Sequence, residues 1–269
     1  MSYKVGIVGY GVVGKRRHIS LNKIPDFEVT SVSDINFNSE NKPHNLNCYY
    51  DFRDLIDNEE LDVLLISLPN NFAAEATLLG LHKNLNVFCE KPPCKTLDEL
   101  LPIRDFIKDS KLKLMYGFNH RFHSSVMKAK KIINEKKLGK VINLKGTYGK
   151  SKMISFNQTD WRTDRNKSGG GILLDQGIHM LDLMNYFVGG FNTIFSIIQN
   201  SFWNFDVEDN AFVLMQNDKG VVGQLHSSAT QWRHKFNLEI TLEKGSLILG
   251  GLLTLSLIHI SEPTRLPGI

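Results

Sequence analysis

The sequence contains few cysteines, no marked excess of either charge and no long apolar run, and each absence excludes a class of protein. Three cysteines in 269 residues are too few for a disulfide framework and favour a reducing compartment. Cys89 and Cys94 flank a Pro-Pro turn without a second pair of ligands, so we expect no metal site there. The 32 basic and 28 acidic residues give a net charge of +4, which points to no strongly charged partner.

The distribution of these residues narrows the interpretation further. Lysine and arginine are spread along the chain, so we expect no nucleic-acid partner. No apolar run is long enough to cross a bilayer, and a glycine-rich pattern follows Lys4 at once in place of a signal peptide. We therefore expect a cytoplasmic protein with no membrane partner, and its 42% hydrophobic content is ample for a buried core.

The first motif is a glycine fingerprint between a strand and a helix. Residues 4–8 form a short apolar run, and Gly9, Gly11 and Gly14 follow at the G-x-G-x-x-G spacing before a helical stretch. In that setting the first glycine permits a tight turn, the second lets the backbone approach a pyrophosphate, and the third lets helix and strand pack closely. The pattern predicts a dinucleotide site at the helix N-terminus.

Asp34 bears on the choice of dinucleotide. It ends a second predicted strand, residues 28–33, about 20 residues beyond the fingerprint, where an acid binds the ribose hydroxyls. A carboxylate repels a 2′-phosphate, which favours NAD over NADP, although Arg16 and Arg17 can offset this and leave NADP possible. The alternative is that Asp34 is only a turn residue.

Strands and helices alternate through the rest of the first half, which predicts a doubly wound parallel sheet. Ligands bind such sheets at the carboxyl ends of the strands, so the loops at 67–71 and 90–93 are candidates. Lys91 emerges from a strand end and can donate to a substrate hydroxyl or alkoxide, unless it is a solvated turn lysine. Pro92 after it is a candidate for a cis peptide bond.

Two local features mark the next helix. Residues 96–99 read Thr-Leu-Asp-Glu and predict a capping box at its start. Pro102 lies within the helical pattern, and we expect it to kink or split the helix.

The stretch at 169–182 carries the strongest catalytic pattern. Three glycines precede a helical run in which Asp175, His179 and Asp182 lie at i, i+4 and i+7 and so share one face. An imidazole can exchange a proton near neutral pH while a carboxylate orients the substrate. The alternative is a helix whose polar face is solvated.

Beyond this helix the hydrophobic pattern changes to period two. Residues 236–242 alternate apolar and polar, and the sequences at 217–220 and 243–246 predict hairpin turns. The second half is therefore predicted to be an α+β domain with a large, mostly antiparallel open sheet and helices on one face.

Taken together, these motifs resemble the glucose–fructose oxidoreductase / inositol dehydrogenase (Gfo/Idh/MocA) family over roughly residues 3–254. The resemblance rests on the glycine fingerprint, Glu90-Lys91-Pro92, Trp161-Arg162, and the glycine triplet followed by Asp175 and His179. It implies NAD(P)-dependent hydride transfer at a hydroxyl or carbonyl carbon of a sugar, polyol or nucleotide-sugar.

The resemblance also implies roles for individual residues. His179 would be the catalytic acid/base, with Lys91 and Asp175 holding the reacting oxygen. The expected cofactor-binding set is Gly9, Gly11, Gly14, Asp34, Ser67, Pro69, Asn70, Glu90, Asn119, Trp161 and Arg162. Tyr148, Trp161 and His226 are candidates for the substrate side, whereas we interpret His120 and His123 as structural and expect no metal.

A second function on the same fold is a catalytically silent dinucleotide-binding regulator. The complete set Lys91, Asp175 and His179 favours the enzyme. The expected partners are a small sugar or polyol and, by analogy with the family, further copies of the chain in a homo-dimer or homo-tetramer.

The predicted domains are an NAD(P)-binding Rossmann domain at 1–120 and a substrate and oligomerisation domain at 121–254. Residues 255–269 read like the translation of a sequencing adapter, and we expect them to be a non-native tail. Members of the family are usually longer, so the second domain is expected to be incomplete and to leave an open sheet edge.

Overall fold

A computed structural model describes residues 2–38, 40–150, 160–231, 233–251 and 257–261, with backbone alone at 160 and 257–261. The chain divides into two compact units. The first comprises Met1–Gly117 and Asn166–Gly169, and the second Phe118–Arg165 and Gly170–Ile269.

The first unit is built on a six-stranded parallel sheet. Its elements are β1 (Tyr3–Val8), α1 (Val12–Leu21), β2 (Phe27–Ser33), β3 (Asn47–Tyr49), α2 (Phe52–Asn58), β4 (Val63–Ile66), α3 (Asn70–His82), β5 (Asn86–Cys89), α4 (Leu97–Lys108) and β6 (Leu114–Tyr116). The strand order β3-β2-β1-β4-β5-β6, with every pairing parallel, is that of a dinucleotide-binding sheet. This confirms the predicted Rossmann class.

Apolar side chains cover both faces of this sheet, as parallel strands require. Leu64 and Ile66 contribute to one buried cluster together with Leu81 of α3. Ile7 and Leu65 contribute to a second cluster, and all five side chains are at most 5% exposed. Burial on both faces explains why these strands read as apolar runs.

Helix α4 departs from the sequence prediction at two points. It runs unbroken through Pro102, so the predicted split is wrong: the proline lies on the exposed side, while the neighbouring Ile103 is buried and packs against the core. The prediction of a capping box is also wrong, because the side chain of Thr96 makes no capping hydrogen bond. Instead the Glu99 carboxylate accepts from the backbone N–H of Lys95 at 2.9 Å.

The second unit contains a seven-stranded, mostly antiparallel sheet. Its elements are α5 (Ser124–Glu135), β7 (Val141–Gly149), the four-residue helix α6 (Arg165–Ser168), which extends into the first unit, α7 (Ile178–Val188), β8 (Thr193–Gln199), β9 (Asn210–Gln216), β10 (Val222–Ser228), β11 (Lys235–Leu242), β12 (Gly245–Gly250) and β13 (Leu257–Ser261). The strand order is β13-β12-β11-β7-β10-β9-β8, and only β7 and β10 pair in parallel. The fold class predicted for this half is confirmed.

Helices α5 and α7 pack on one face of this sheet. Val126 of α5 and Met180 and Leu183 of α7 are fully buried in a cluster with strand residues such as Leu144 and Leu238. Strand β13 pairs with β12 at one edge of the sheet and contains the only described residues of the predicted tail 255–269. The remaining tail residues lie outside the described part of the chain.

Candidate active site

The glycine loop of the first unit has the close backbone packing that a dinucleotide fingerprint requires. Gly9 has φ +84°, and a Cβ there would lie 2.4 Å from the carbonyl oxygen of Ser67, at the end of β4. A Cβ on Gly14 would lie 2.2 Å from the carbonyl oxygen of Gly9. A Cβ on Gly11, immediately before α1, would meet nothing within 4 Å. The loop is therefore tight against its own unit and open at Gly11, which fits a pyrophosphate at the start of α1.

The predicted cofactor residues Asp34 and Asn70 lie at the end of a strand and at the start of a helix. Asp34 follows β2 and is half-buried, and its Oδ1 accepts from the backbone and side-chain nitrogens of Asn36 at 2.9 and 3.0 Å. Pro69 precedes α3, and the buried amide of Asn70 donates to the carbonyl oxygen of Ser168 at 2.8 Å. Asn70 therefore holds the backbone of the α6 segment within the first unit.

Glu90 lies at the end of β5 and forms an ion pair with Arg17. Its Oε1 accepts from Nε of Arg17 at 2.7 Å, and the guanidinium lies over the Phe88 ring. A Cβ on Gly117 would lie 2.7 Å from Oε2 of Glu90. Arg16 and Arg17 were the two arginines expected to offset the repulsion between Asp34 and a 2′-phosphate. Of these, Arg17 is paired with Glu90. The peptide bond between Lys91 and Pro92 is cis, as the sequence suggested.

In the second unit, the segment carrying Asp175 is not the regular α-helix that the spacing predicts. Leu173–Gly177 form a π-helical turn that leads directly into α7. Its start is fixed by Glu208, whose carboxylate accepts from the backbone N–H groups of Gly171 at 2.8 Å and Leu173 at 3.1 Å. A Cβ on Gly171 would lie 2.0 Å from the Glu208 carbonyl oxygen, so only glycine fits there. Such turns recur at functional sites.

Asp175 is held by two cations of its own unit. Nζ of Lys150, which follows β7, lies 3.1 Å from Oδ2, and Nε of Arg162 lies 3.9 Å from Oδ1. Lys150 is buried, and the Arg162 guanidinium lies over the half-buried Trp161 ring at 4.2 Å. Burial lowers the pKa of Arg162, and the charge of Asp175 opposes that shift. Lys150 is a neighbour of the candidate residue Asp175 that the sequence prediction did not include.

His179 lies at the start of α7 and is 6% exposed. Its ring stacks on His120 with centroids 4.0 Å apart and planes 16° apart, and Phe118 contacts it edge-on. Nε2 of His120 lies 3.3 Å from the hydroxyl of Tyr148, and Nδ1 lies 3.0 Å from Oδ1 of Asn119. The expected substrate-side residue Tyr148 and the expected cofactor residue Asn119 are therefore joined to His179 through His120.

The structure also gives the surroundings of two further residues of this unit, Asp182 and His226. The side of the helix that bears Asp182 is not solvated, because Asp182 has a side chain 7% exposed and accepts from Nε of Arg121 at 2.7 Å. His226 lies on the opposite face of the sheet from Tyr148, since side chains alternate along β10 and it is Ser227 that pairs with Tyr148. There it stacks on Phe212, 4.1 Å away.

The described residues contain no group of three histidine, cysteine or acidic side chains that could hold a metal ion. Within the same residues no helix has the length and apolar character needed to cross a membrane. The candidate functional groups of the described residues are the glycine loop of the first unit and His179, Asp175 and Lys150 of the second.

Comparison with known families matches both units. The family model described as "Oxidoreductase family, NAD-binding Rossmann fold" matches residues 3–118, and the GFO/IDH/MocA C-terminal domain matches residues 126–248. The chain belongs to the Gfo/Idh/MocA oxidoreductase family. The family resemblance predicted from the motifs is confirmed, and so is the assignment to oxidoreductases with an NAD-binding domain.

Several relatives within the Gfo/Idh/MocA family are named as dehydrogenases of sugars or inositols. The chain is 26% identical to levoglucosan dehydrogenase of Pseudarthrobacter phenanthrenivorans, over 91% of this chain and 72% of that protein. It is 29% identical to glucose-6-phosphate 3-dehydrogenase of Bacillus subtilis, over 82% of this chain and 64% of that protein. The chain spans about two thirds of the length of these curated relatives.

The fold matches that of the WlbA dehydrogenase from Bordetella pertussis, solved in complex with NADH and UDP-GlcNAcA. The TM-score is 0.87 at 16% identity, and the match covers 98% of this chain and 84% of that one.

Proposed function

We propose that the protein transfers hydride between a nicotinamide cofactor and a hydroxyl-bearing carbon of a sugar, polyol or nucleotide-sugar. The observation that carries the proposal is that one segment carries both a buried histidine, His179, and, four residues earlier, Asp175, whose carboxylate is held by Lys150. Oxidation of an alcohol requires an acid/base, and a fixed carboxylate can orient the reacting hydroxyl. The names of the relatives support the substrate class.

The cofactor fits the first unit through the glycine loop that is open at Gly11 and through the Asp34 carboxylate. When bound, it supplies the acceptor for the hydride that leaves the substrate carbon. Oxidation removes one hydride from carbon and one proton from oxygen, and His179 takes that proton. Asp175 and Lys91 hold the hydroxyl, and the Lys91 ammonium favours the alkoxide as its proton leaves.

Hydride transfer is measured as NADH formed or consumed over a panel of sugars, sugar phosphates, polyols and nucleotide-sugars. We expect His179→Ala and Lys91→Ala to lower kcat by about 100-fold or more. Two exposed residues of the same types, in His44→Ala and Lys113→Ala, serve as matched controls and keep full activity. Tight NADH binding without turnover on any substrate would contradict the enzymatic function and would support the alternative, a dinucleotide-binding regulator.

For the cofactor we propose NAD in preference to NADP. The support is the Asp34 carboxylate, oriented by Asn36, together with the engagement of Arg17 by Glu90. Asp34→Ser removes the charge that repels a 2′-phosphate, so the ratio of kcat/KM for NAD to that for NADP is expected to fall by about tenfold. An unchanged ratio would assign Asp34 to the turn alone.

For the partner we propose a second copy of the chain on the outer face of β8 and β9. Phe195 and Ile197 of β8 pair with Leu214 and Phe212 of β9, and all four side chains are 42–65% exposed on the sheet face away from α7. Apolar patches of this kind mark association surfaces. Sedimentation of the wild type and of Phe195→Asp tests this: the wild type sediments as a dimer or larger species and the variant as a monomer, whereas a monomeric wild type would refute it.

A further inference from the structure

The ring of His120 lies flat beneath the ring of His179. The centroids are 4.0 Å apart and the planes 16° apart, and His120 is only 3% exposed. His120 lies in the turn at Asn119–Phe122, which is far from α7 in the sequence. The stack is therefore a tertiary contact. Parallel rings at this distance fix the orientation of His179.

Two hydrogen bonds fix His120 in turn. Its Nδ1 lies 3.0 Å from Oδ1 of Asn119, and its Nε2 lies 3.3 Å from the hydroxyl of Tyr148. An amide oxygen only accepts, so Nδ1 carries the proton and donates. Burial, together with the charge of Asp175, raises the pKa of Tyr148 above its ordinary value, so its hydroxyl keeps the proton that it can donate to Nε2. With Asn119 as acceptor and Tyr148 as donor, a neutral imidazole at His120 has both nitrogens bonded.

The stacked rings of His120 and His179 can carry one positive charge between them. The surrounding titratable and charged groups are Tyr148 and Lys150 after it on the chain, Asp175 on the π turn, Asp182 with Arg121, His123 and His234. Two imidazolium rings 4.0 Å apart would repel strongly, whereas one imidazolium on a neutral ring is attracted by the ring face. This arrangement favours protonation and deprotonation of His179 while His120 stays neutral.

We propose that His120 is a positioning residue for His179: a neutral imidazole, held in one tautomer by Asn119 and Tyr148, on whose face the imidazolium form of His179 is stabilised. The proposal rests on the function proposed above, because it gives His179 the proton of the substrate hydroxyl. It adds a residue that the sequence pattern treats as structural.

The test combines NMR with kinetics on the full-length chain. Histidine labelled with ¹⁵N reports the tautomer and the titration of each ring directly, without substrate. We expect the wild type to show His120 with its proton on Nδ1 and neutral throughout the titration of His179. His120→Phe keeps a flat ring and should leave the midpoint of His179 in place. His120→Leu removes the ring and should move that midpoint to lower pH.

Activity should follow the same order. His120→Leu is expected to lower kcat about tenfold and to move the acid limb of its pH profile with the NMR midpoint, whereas the KM for NAD stays unchanged. His44→Leu, an exposed substitution of the same type, is the control. Tyr148→Phe deletes a single oxygen and should release the His120 tautomer, so this variant tests the proposal even if the leucine variant does not fold.

Three results would overturn the proposal: a proton on Nε2 of His120 in the wild type, an unmoved His179 midpoint in His120→Leu, or the same shift in both His120 variants. Failure of the proposed function gives a different outcome. In that case the NMR results hold as expected, but no substrate in the panel is turned over by any form of the protein.

Discussion

Glu208 offers the sharpest test of how the second unit builds its site. It is 7% exposed, and its carboxylate accepts two backbone N–H groups at the start of the π turn, from Gly171 at 2.8 Å and Leu173 at 3.1 Å. The substitution Glu208→Gln preserves the size of the side chain. It removes the charge and places an amide NH₂ against one of those two donors.

The expected loss follows from these two bonds. A hydrogen bond to a buried charged group contributes about 1.5–3 kcal/mol, and a buried donor left without a partner costs about 1–3 kcal/mol. Glutamine keeps one neutral acceptor, so we expect Glu208→Gln to lower the free energy of unfolding of the second unit by about 2–4 kcal/mol. Because the same bonds fix the segment that carries Asp175, kcat should fall as well.

Urea unfolding followed by tryptophan fluorescence measures this loss, since the first unit contains no tryptophan and Trp161 and Trp203 belong to the second. Glu239→Gln, on an exposed position of β11, is the matched control and should change stability by less than about 0.5 kcal/mol. A loss below about 1 kcal/mol in Glu208→Gln, or a loss equal to that of the control, would refute the reasoning.

Three further predictions follow from individual positions. Gly14→Ala places a Cβ 2.2 Å from a carbonyl oxygen and should cost about 1–3 kcal/mol in stability, whereas Gly11→Ala meets nothing within 4 Å and should weaken only NADH binding, as calorimetry can measure. Burial alone would raise the pKa of Asp209, but hydrogen bonds from three backbone N–H groups and an amide outweigh it and hold the pKa below its ordinary value. Its contribution to stability is therefore present above its unfolded pKa and lost as pH falls through the lower folded value, so acid unfolding curves should flatten in Asp209→Asn. Burial raises the pKa of Cys89 to about 12, so alkylation of the folded protein near neutral pH, followed by mass spectrometry, should modify Cys48 and spare Cys89.

Much of the fold could be predicted because its signals are local. The strands of the first unit are short apolar runs that are buried on both faces, and the glycine loop has a spacing set by backbone packing. Strand β3 has no such signal, because Asn47–Tyr49 is three residues long and partly polar. Pro102 shows the opposite failure: a local breaker was tolerated because burial of Ile103 holds the helix together.

The site was only partly predictable for a related reason. Asp175 and His179 follow from helical spacing within one segment. Their neighbours Lys150, Glu208 and His120 come from other parts of the chain, and each looks like an ordinary surface residue or turn residue when the sequence is read alone. No periodicity links them to residues 171–179, which they contact only in the folded chain.

The π turn shows what this packing adds to the spacing. In a straight α-helix, Asp175 and His179 would project from one face. The chain instead forms a wider i→i+5 turn at Leu173–Gly177, which contains Asp175 and ends immediately before α7, the helix that carries His179. Asp175 is thus held by Lys150, while His179 stacks on His120. Asp175 therefore has a cation as its partner and His179 has a stacked ring, and each group is held by contacts of its own. Glu208 stabilises the start of that turn, so the placement of Asp175 depends on a residue more than 30 positions away along the chain.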